Sequence, residues 1–584
     1  MSPFRRGNDL DISYYLVRAH LYEKEKNGQV SCTLQEIEVI WQCTRRHVIR
    51  KLKKLEDLGQ LRYQPGRGRG RNSTLSFPSD FREDVEKFLR FCIQEDKPTI
   101  LFQLLQLPIP RHWYAHMTEL EQLFGYQQQE GQDTLRTVFN RPITTLDPCA
   151  SSITFESHLI EQLGDTLVIY DQDTDSMHPH LAHHWKTNED STEWVFYLRK
   201  GVLFHHMREM TSEDIAYTIQ RFKPDSPNYW LVSDVVQTEV IDRYIIRIQL
   251  AKPNPFFLRY MASVSMAILP RDVLFNEYEW VATGPYQLKE RTQQKLVLEV
   301  FPSYFHMRPF LDRVEMWRIK PGEKKVNYSL PDQHGPTQSH YEVEQGFRFL
   351  AFNFHRDSII QDRYFREAMY HLVDTERIFT ELNLEQLFGK LKHASSFFLE
   401  KSVTPKKSEM KLQEALKKSA YQGESLTVGV LRHKSAGIQA EWLSQEAAKY
   451  GIILELCEYE LDSIYNKNEM LAFDMAFMGE VANIDRELSF IGAFKNEALL
   501  FRTYFGPSHL QKIDTYLEAF KNGKTKQERY KIADKIESYL HQEQLIIFQN
   551  HPMKERTHTA FLQDFELTGF GHPNFRKLWI DKLA

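Results

Sequence analysis

Apolar residues recur at helical spacing twice in quick succession near the start of the chain. Ile37, Ile40 and Trp41 share one face of a first segment, and Val48, Leu52 and Leu55 recur at i, i+4, i+7 in a second. Thr33 and Glu36 make an S/T-x-x-E capping box, which predicts that the first helix begins near Leu34, and Thr44 stands where it can cap the second. Ile12, Tyr15, Leu16 and Ala19 supply an earlier helix to pack beneath the pair. Residues 61–64 and 73–77 read as two short strands, and between them glycine and arginine alternate from Gly66 to Arg71. Helix, tight turn, helix and glycine-rich hairpin, in that order, predict a winged helix-turn-helix unit over residues 1–78.

The pattern then changes. Phe81, Val85, Phe88, Leu89 and Cys92 fall on one side of a helix, and a second helical stretch over 100–107 is broken by Pro108 and Pro110. The polar run 127–133 reads as a hinge, so 79–133 is expected to be a helical linker. From 134 to 584, strands alternate with amphipathic stretches. Strands are expected at 134–140, 167–171, 194–198, 244–250, 295–299, 314–319, 348–354, 426–431, 452–458 and 473–478, with helices at 212–222 and 439–449. The fold class expected is multidomain: a small α+β winged helix-turn-helix unit followed by a large α/β unit with more than one sheet.

Charge sharpens this division. Met1 to Arg71 holds 15 Lys and Arg against 8 Asp and Glu, about +7, in a chain of formal net charge −5, leaving about −12 for the remainder. A basic end on an acidic protein is the electrostatic footprint of a nucleic-acid-binding module. On the second helix, Arg46, Arg50 and Lys53 repeat on the face opposite the apolar stripe. Thr44, Arg45, Arg46, His47, Arg50 and Lys53 are the candidate contacts of that helix, and Arg67, Arg69 and Arg71 those of the wing, with double-stranded DNA as the expected partner.

Other properties narrow the class. At 584 residues a single core is improbable, and 42% hydrophobic with 26% charged residues is ordinary for a globular protein. The first ten residues hold no apolar segment, and no run approaches 18 apolar residues, so neither a secretory signal nor a membrane span is expected. Five scattered cysteines without C-x-x-C spacing argue against disulfides or zinc, and a cytoplasmic location is expected. His178, His180, His183 and His184 crowd together, but no H-E-x-x-H-like pairing accompanies them. No nucleophile elbow, phosphate loop or dinucleotide fingerprint is present, so neither an enzyme nor a cofactor is expected.

The large unit carries a resemblance. Leu146-Asp-Pro148, Pro179-His-Leu-Ala-His-His-Trp185, Glu193 to Phe204, Thr283-Gly-Pro-Tyr286, Ala351-Phe-Asn353 and Phe473-Asp474 resemble the family 5 extracellular solute-binding proteins, the peptide- and nickel-type receptors of importers. Together with the N-terminal unit, the whole chain resembles the SgrR family of bacterial transcriptional regulators. That resemblance implies a two-lobed clamshell, with its second lobe at roughly 347–510, closing on a small solute such as a sugar, sugar phosphate, peptide or metal chelate. It leaves a homodimer open. The family-typical Phe-His-Asp-Gly turn reads Phe204-His205-His206-Met207 here, and the Gly-Trp expected after Phe473-Asp474 is replaced by Gly479-Glu480. Asn353, Glu480, Asn483, Asp485 and Arg486 are the candidate cleft residues. Asp485 is suited to an amine and Arg486 to a phosphate or carboxylate. The competing reading is a cytosolic solute or peptide receptor, or a chaperone, without specific DNA binding.

Overall fold

The computed structural model describes residues 11–581 apart from 67–71, 96, 106, 115–124, 130, 140, 319–326, 329–336, 386–388, 433, 560–561 and 565–572. The first unit runs α1 (Ser13–Leu21), β1 (Gln29–Cys32), α2 (Leu34–Trp41), α3 (Arg45–Asp57), β2 (Arg62–Gln64) and β3 (Ser73–Ser76). This is the element order of a winged helix-turn-helix. The α2 capping box forms in full: the Glu36 N–H donates to Thr33 Oγ1 at 3.1 Å and the Thr33 N–H donates to the Glu36 carboxylate at 2.7 Å. Gln42 ends α2 in the left-handed region at φ +48° and turns the chain into α3. Val48, Leu52 and Leu55 bury the apolar stripe of α3.

Two local expectations need correction. Thr44 occupies the N-cap position of α3, but its hydroxyl meets His47 Nδ1 at 3.0 Å and makes no side-chain cap bond to the backbone. The wing is also a three-stranded sheet, ordered β1–β3–β2, because the unexpected β1 pairs antiparallel with β3. Gly28 leads into β1 at φ +72°, where a Cβ would stand 3.0 Å from the Phe77 carbonyl oxygen, so the turn requires glycine.

α4 (Phe81–Gln94) and α5 (Pro98–Leu105) pack into the same apolar core as α1 to α3. The run expected to be a polar hinge is instead a hairpin, β4 (Gly125–Gln129) with β5 (Gln132–Phe139). β5 pairs in parallel with Arg313–Arg318, so this hairpin forms one side of a five-stranded sheet of the large unit. The two units meet where Phe102 of α5 stacks on Trp317 of that sheet, with ring centroids 4.7 Å apart and 18° between planes.

The large unit has two lobes. The first holds the five-stranded sheet and a four-stranded sheet ordered Val235–Asp242, Ile245–Leu250, Glu193–Leu198, Ala182–Thr187. The second is built on a mixed sheet ordered Ile453–Tyr459, Ser425–Leu431, Met475–Val481, Gly346–Phe352, Ile546–Phe548. Its last strand comes from beyond the 347–510 span expected for this lobe. Phe575, Leu578 and Ile580 then join the apolar core of the five-stranded sheet, so the chain passes into the second lobe and back. One apolar cluster joins Phe196 and Ile246 of the first lobe to Phe347, Phe490 and Leu540 of the second, giving the lobes a shared apolar contact.

Candidate nucleic-acid interface and interlobe cleft

The two faces of α3 have different fates. Burial of Val48, Leu52 and Leu55 against the core leaves Arg45, Arg46, His47, Arg50 and Lys53 exposed on the other side. Neighbouring cations are engaged: Lys54 pairs with Asp11 at 3.2 Å, and Lys51 lies over the Trp41 ring at 5.3 Å. Among the described residues, Arg45, Arg46, Arg50 and Lys53 form no ion pair. The Trp41 indole donates to the Ser13 carbonyl at 3.0 Å and ties α2 to α1. Buried Arg18 braces the unit from below, donating to Glu25, Asp84 and the Ser79 carbonyl. Arg67, Arg69 and Arg71 lie outside the described residues, between the described strands β2 and β3.

Among the described residues, two cavities open between the lobes. The larger, about 1050 Å3, lies between segment 141–145 of the first lobe and segment 460–465 of the second. The smaller, about 140 Å3, is lined by Asp165, His180 and Arg576 on one side and by Asn483 and Asp485 on the other. Asp165 accepts from His180 Nε2 and from Arg576 Nη1, both at 2.9 Å. Burial alone would raise its pKa, but the Arg576 and His180 charges outweigh burial and bring it down to about 2. In the adjacent Glu161, burial is the stronger influence and pushes the carboxyl above its ordinary range.

The five cleft candidates separate. Asn483 and Asp485 line the small cavity. Asn483 accepts from Ser489 Oγ through its side chain and donates to the same oxygen through its backbone, each at 3.0 Å. Asp485 caps the helix Arg486–Lys495 by accepting from the Leu488 N–H at 2.9 Å, and it also grips Arg259. Glu480 and Arg486 face a different, very small pocket beside Phe347, Phe397 and Phe398. Burial there pushes the Glu480 carboxyl up to about 8. Arg486 is committed to Glu400 at 2.7 Å and to the Phe398 ring, so it is not a free anion receptor. Asn353 lines neither cavity. Fully buried, it donates to the Leu471 and Phe473 carbonyls at 3.1 and 2.8 Å and accepts from the His355 N–H at 3.0 Å, which makes it a loop brace.

Sequence reasoning missed Arg259 and Arg576, which stand in unremarkable local contexts. The crowded histidines disperse: His180 turns inward to Asp165, while His178 stays near the surface beside Asp171. The Phe204 to Met207 turn persists, with the Met207 N–H donating to the Phe204 carbonyl at 2.8 Å, but Met207 is held in the left-handed region at φ +69°. No helix among the described residues is long and apolar enough to cross a membrane.

Comparison with known proteins agrees with this architecture. The family described as Bacterial extracellular solute-binding proteins, family 5 Middle, matches residues 176–498, and Sugar transport-related sRNA regulator N-term matches residues 14–131. Uncharacterized protein YhjP of Bacillus subtilis (strain 168) is 31% identical over 443 residues, covering 74% of this chain and 75% of that one. The HTH-type transcriptional regulator SgrR of Photorhabdus laumondii is 28% identical over 354 residues, and the match covers 58% of this chain and 60% of that regulator. Among solved structures, the Escherichia coli murein tripeptide binding protein MppA superposes with a TM-score of 0.64 at 19% identity, over 78% of this chain and 99% of that one. NikZ from Campylobacter jejuni, in complex with Ni(L-His), gives 0.61 at 18% identity over 75% and 97%. At such identities the likeness is one of fold. A family 5 match over more than half the chain, behind an N-terminal segment of the SgrR type, places this protein in the bacterial solute-binding protein family 5 as an SgrR-like member.

Proposed function

We propose that this chain is a ligand-responsive transcriptional regulator that binds duplex DNA through α3 and the β2–β3 wing and senses a small solute between its two lobes. The observation that carries the reading is the free cationic face of α3. Arg45, Arg46, Arg50 and Lys53 project from a helix whose opposite face is locked into the core, and no carboxylate among the described residues neutralises them. Such a helix can enter a major groove, with arginine and lysine neutralising phosphate and arginine forking onto guanine. Relatives named as HTH-type transcriptional regulators support the same reading. The sensing half rests on the clamshell and its interlobe cavities. A solute acts there only if it binds the open and closed arrangements unequally. Sugar, sugar phosphate, peptide and metal chelate are the classes to screen.

A mobility-shift assay tests the DNA half, comparing a duplex from the region upstream of the chain's own coding sequence with unrelated duplex. Specific binding that disappears in the double variant Arg46→Ala, Arg50→Ala, both on the exposed face of α3, is expected. Equal affinity for both duplexes, or parent-like binding by the variant, overturns it. For the sensing half, a metabolite screen by thermal shift on the full chain is expected to find a solute that raises the melting temperature, because a ligand selective for the folded form must do so.

A further inference from the structure

Between the lobes lies a cation box that the chain fills by itself. Arg259 sits in the short helix Phe257–Tyr260 of the first lobe, and its guanidinium lies over the Tyr170 ring at 4.1 Å and the Phe256 ring at 4.5 Å. From the second lobe, Asp485 accepts from Arg259 Nε at 2.7 Å and from Nη2, while Glu487 accepts from Nη1. Arg529, also from the second lobe, donates to Glu487 at 2.8 Å and reaches back to Asp175 of the first lobe at 3.1 Å. The Tyr170 hydroxyl donates to Asp175 at 2.9 Å and closes the ring of contacts. Arg259, Asp485 and Glu487 are all less than a tenth exposed.

The chemistry of this box is that of a receptor for a planar cation. Two aromatic faces and two buried carboxylates in a fork are what draw a guanidinium out of water. Without Arg259, buried Asp485 would lose the cation it is paired with and buried Glu487 would keep Arg529 alone. Buried carboxylates without a counter-ion are strongly unfavourable, so the box demands an occupant. Tethering makes Arg259 a high-effective-concentration competitor against any free cation.

We propose that Arg259 is the built-in occupant of a guanidinium site spanning both lobes, setting ligand class by excluding cationic solutes from Asp485 and Glu487 and joining the lobes without a ligand. This rests on the sensor reading above. It leaves an incoming solute the neighbouring cavity of about 140 Å3, where Asn483 faces the Asp165, His180 and Arg576 cluster.

The experiment is chemical rescue of the full-length chain with methylguanidinium, with N-methylurea as the uncharged analogue of similar shape. In Arg259→Ala, millimolar methylguanidinium is expected to raise the melting temperature saturably, whereas N-methylurea does not. The parent chain, whose box is occupied, should not respond. The triple variant Arg259→Ala, Asp485→Asn, Glu487→Gln should fold without a cation and also fail to respond. A folded Arg259→Ala that ignores methylguanidinium, or responds no differently from the parent or the triple variant, overturns the proposal. If Arg259→Ala does not fold unaided, an increased refolding yield with methylguanidinium supports it and an unchanged yield overturns it. The readout uses neither DNA nor metabolite, so its failure is distinguishable from failure of the regulator reading.

Discussion

Replacing Arg50 with alanine tests the proposed DNA-facing side of α3 quantitatively. Arg45, Arg46, Arg50 and Lys53 are exposed and free of ion pairs among the described residues. Neutralising one phosphate contributes a slope of about −0.9 in log affinity against log salt. If all four cations reach phosphate, the helix alone contributes about −3.6, and its share of affinity falls about 150-fold between 50 and 200 mM salt. With Arg50→Ala the slope flattens by about 0.9 and that fall becomes about 40-fold. If Arg50 instead forks onto a guanine, the slope holds while specific affinity drops by about 1–3 kcal/mol and discrimination at one base pair relaxes. Fluorescence anisotropy with a labelled duplex, titrated at four salt concentrations, separates the two outcomes. Lys54→Ala is the internal control, because its ammonium is already engaged by Asp11 and should shift the slope less. Parent-like affinity and slope in each single alanine variant of the four would refute the assignment of this face to DNA.

Other consequences can be checked separately. Phe102 and Trp317 are both buried and stacked where the two units meet, so a double-mutant cycle with Phe102→Leu and Trp317→Leu should give a coupling of about 0.5–1.5 kcal/mol in urea unfolding. Additive single effects would mean that the stack does not join the units energetically. Met207 holds a left-handed backbone at an exposed turn, so Met207→Gly should stabilise the chain by up to about 1 kcal/mol, whereas Met207→Val should destabilise it. Burial raises Glu480 from 4.5 to about 8, so the folded chain keeps a proton that the unfolded chain releases. This contribution to stability is therefore present at low pH and lost as pH rises toward 8, and Glu480→Gln should flatten the fall in melting temperature between about pH 5 and 8. A parent and variant with the same pH profile would exclude Glu480 as its source.

What could be read from the chain follows the range of each signal. The α2 capping box spans three residues and the α3 stripe recurs every turn, so both were legible, and their placement matches the expectation closely. Central strands such as Glu193–Leu198 and Ile245–Leu250 alternate buried and less buried positions and were also anticipated. Ala182–Thr187 and Val235–Asp242 were missed because they are the outer strands of their sheet and mostly solvent-facing, so no apolar alternation marks them. The glutamine-rich run at 127–129 looked like a hinge for the same reason: β4 lies at the edge of its sheet, where polar side chains are tolerated.

The cleft was legible as residue types and not as partnerships. Asn353 stands out in the sequence as a cleft candidate within the Ala351-Phe-Asn353 pattern, but only the fold shows that its amide is spent on the carbonyls of residues 471 and 473. Asp485 reads from the sequence as a candidate for a ligand amine because its actual cation stands 226 positions away, in a helix of four residues with no pattern of its own. An aspartate that caps a helix and an aspartate that holds a ligand present the same letter, and burial between two lobes is a property of neither segment alone. Glu480, where the resemblance leads one to expect tryptophan, faces its own small pocket, whereas Asp485 is held by Arg259 from the other lobe. Under the proposed sensor reading, lobes joined by Arg259 and its buried counter-ions hold one defined arrangement, and a solute acts only by binding that arrangement and its alternative unequally.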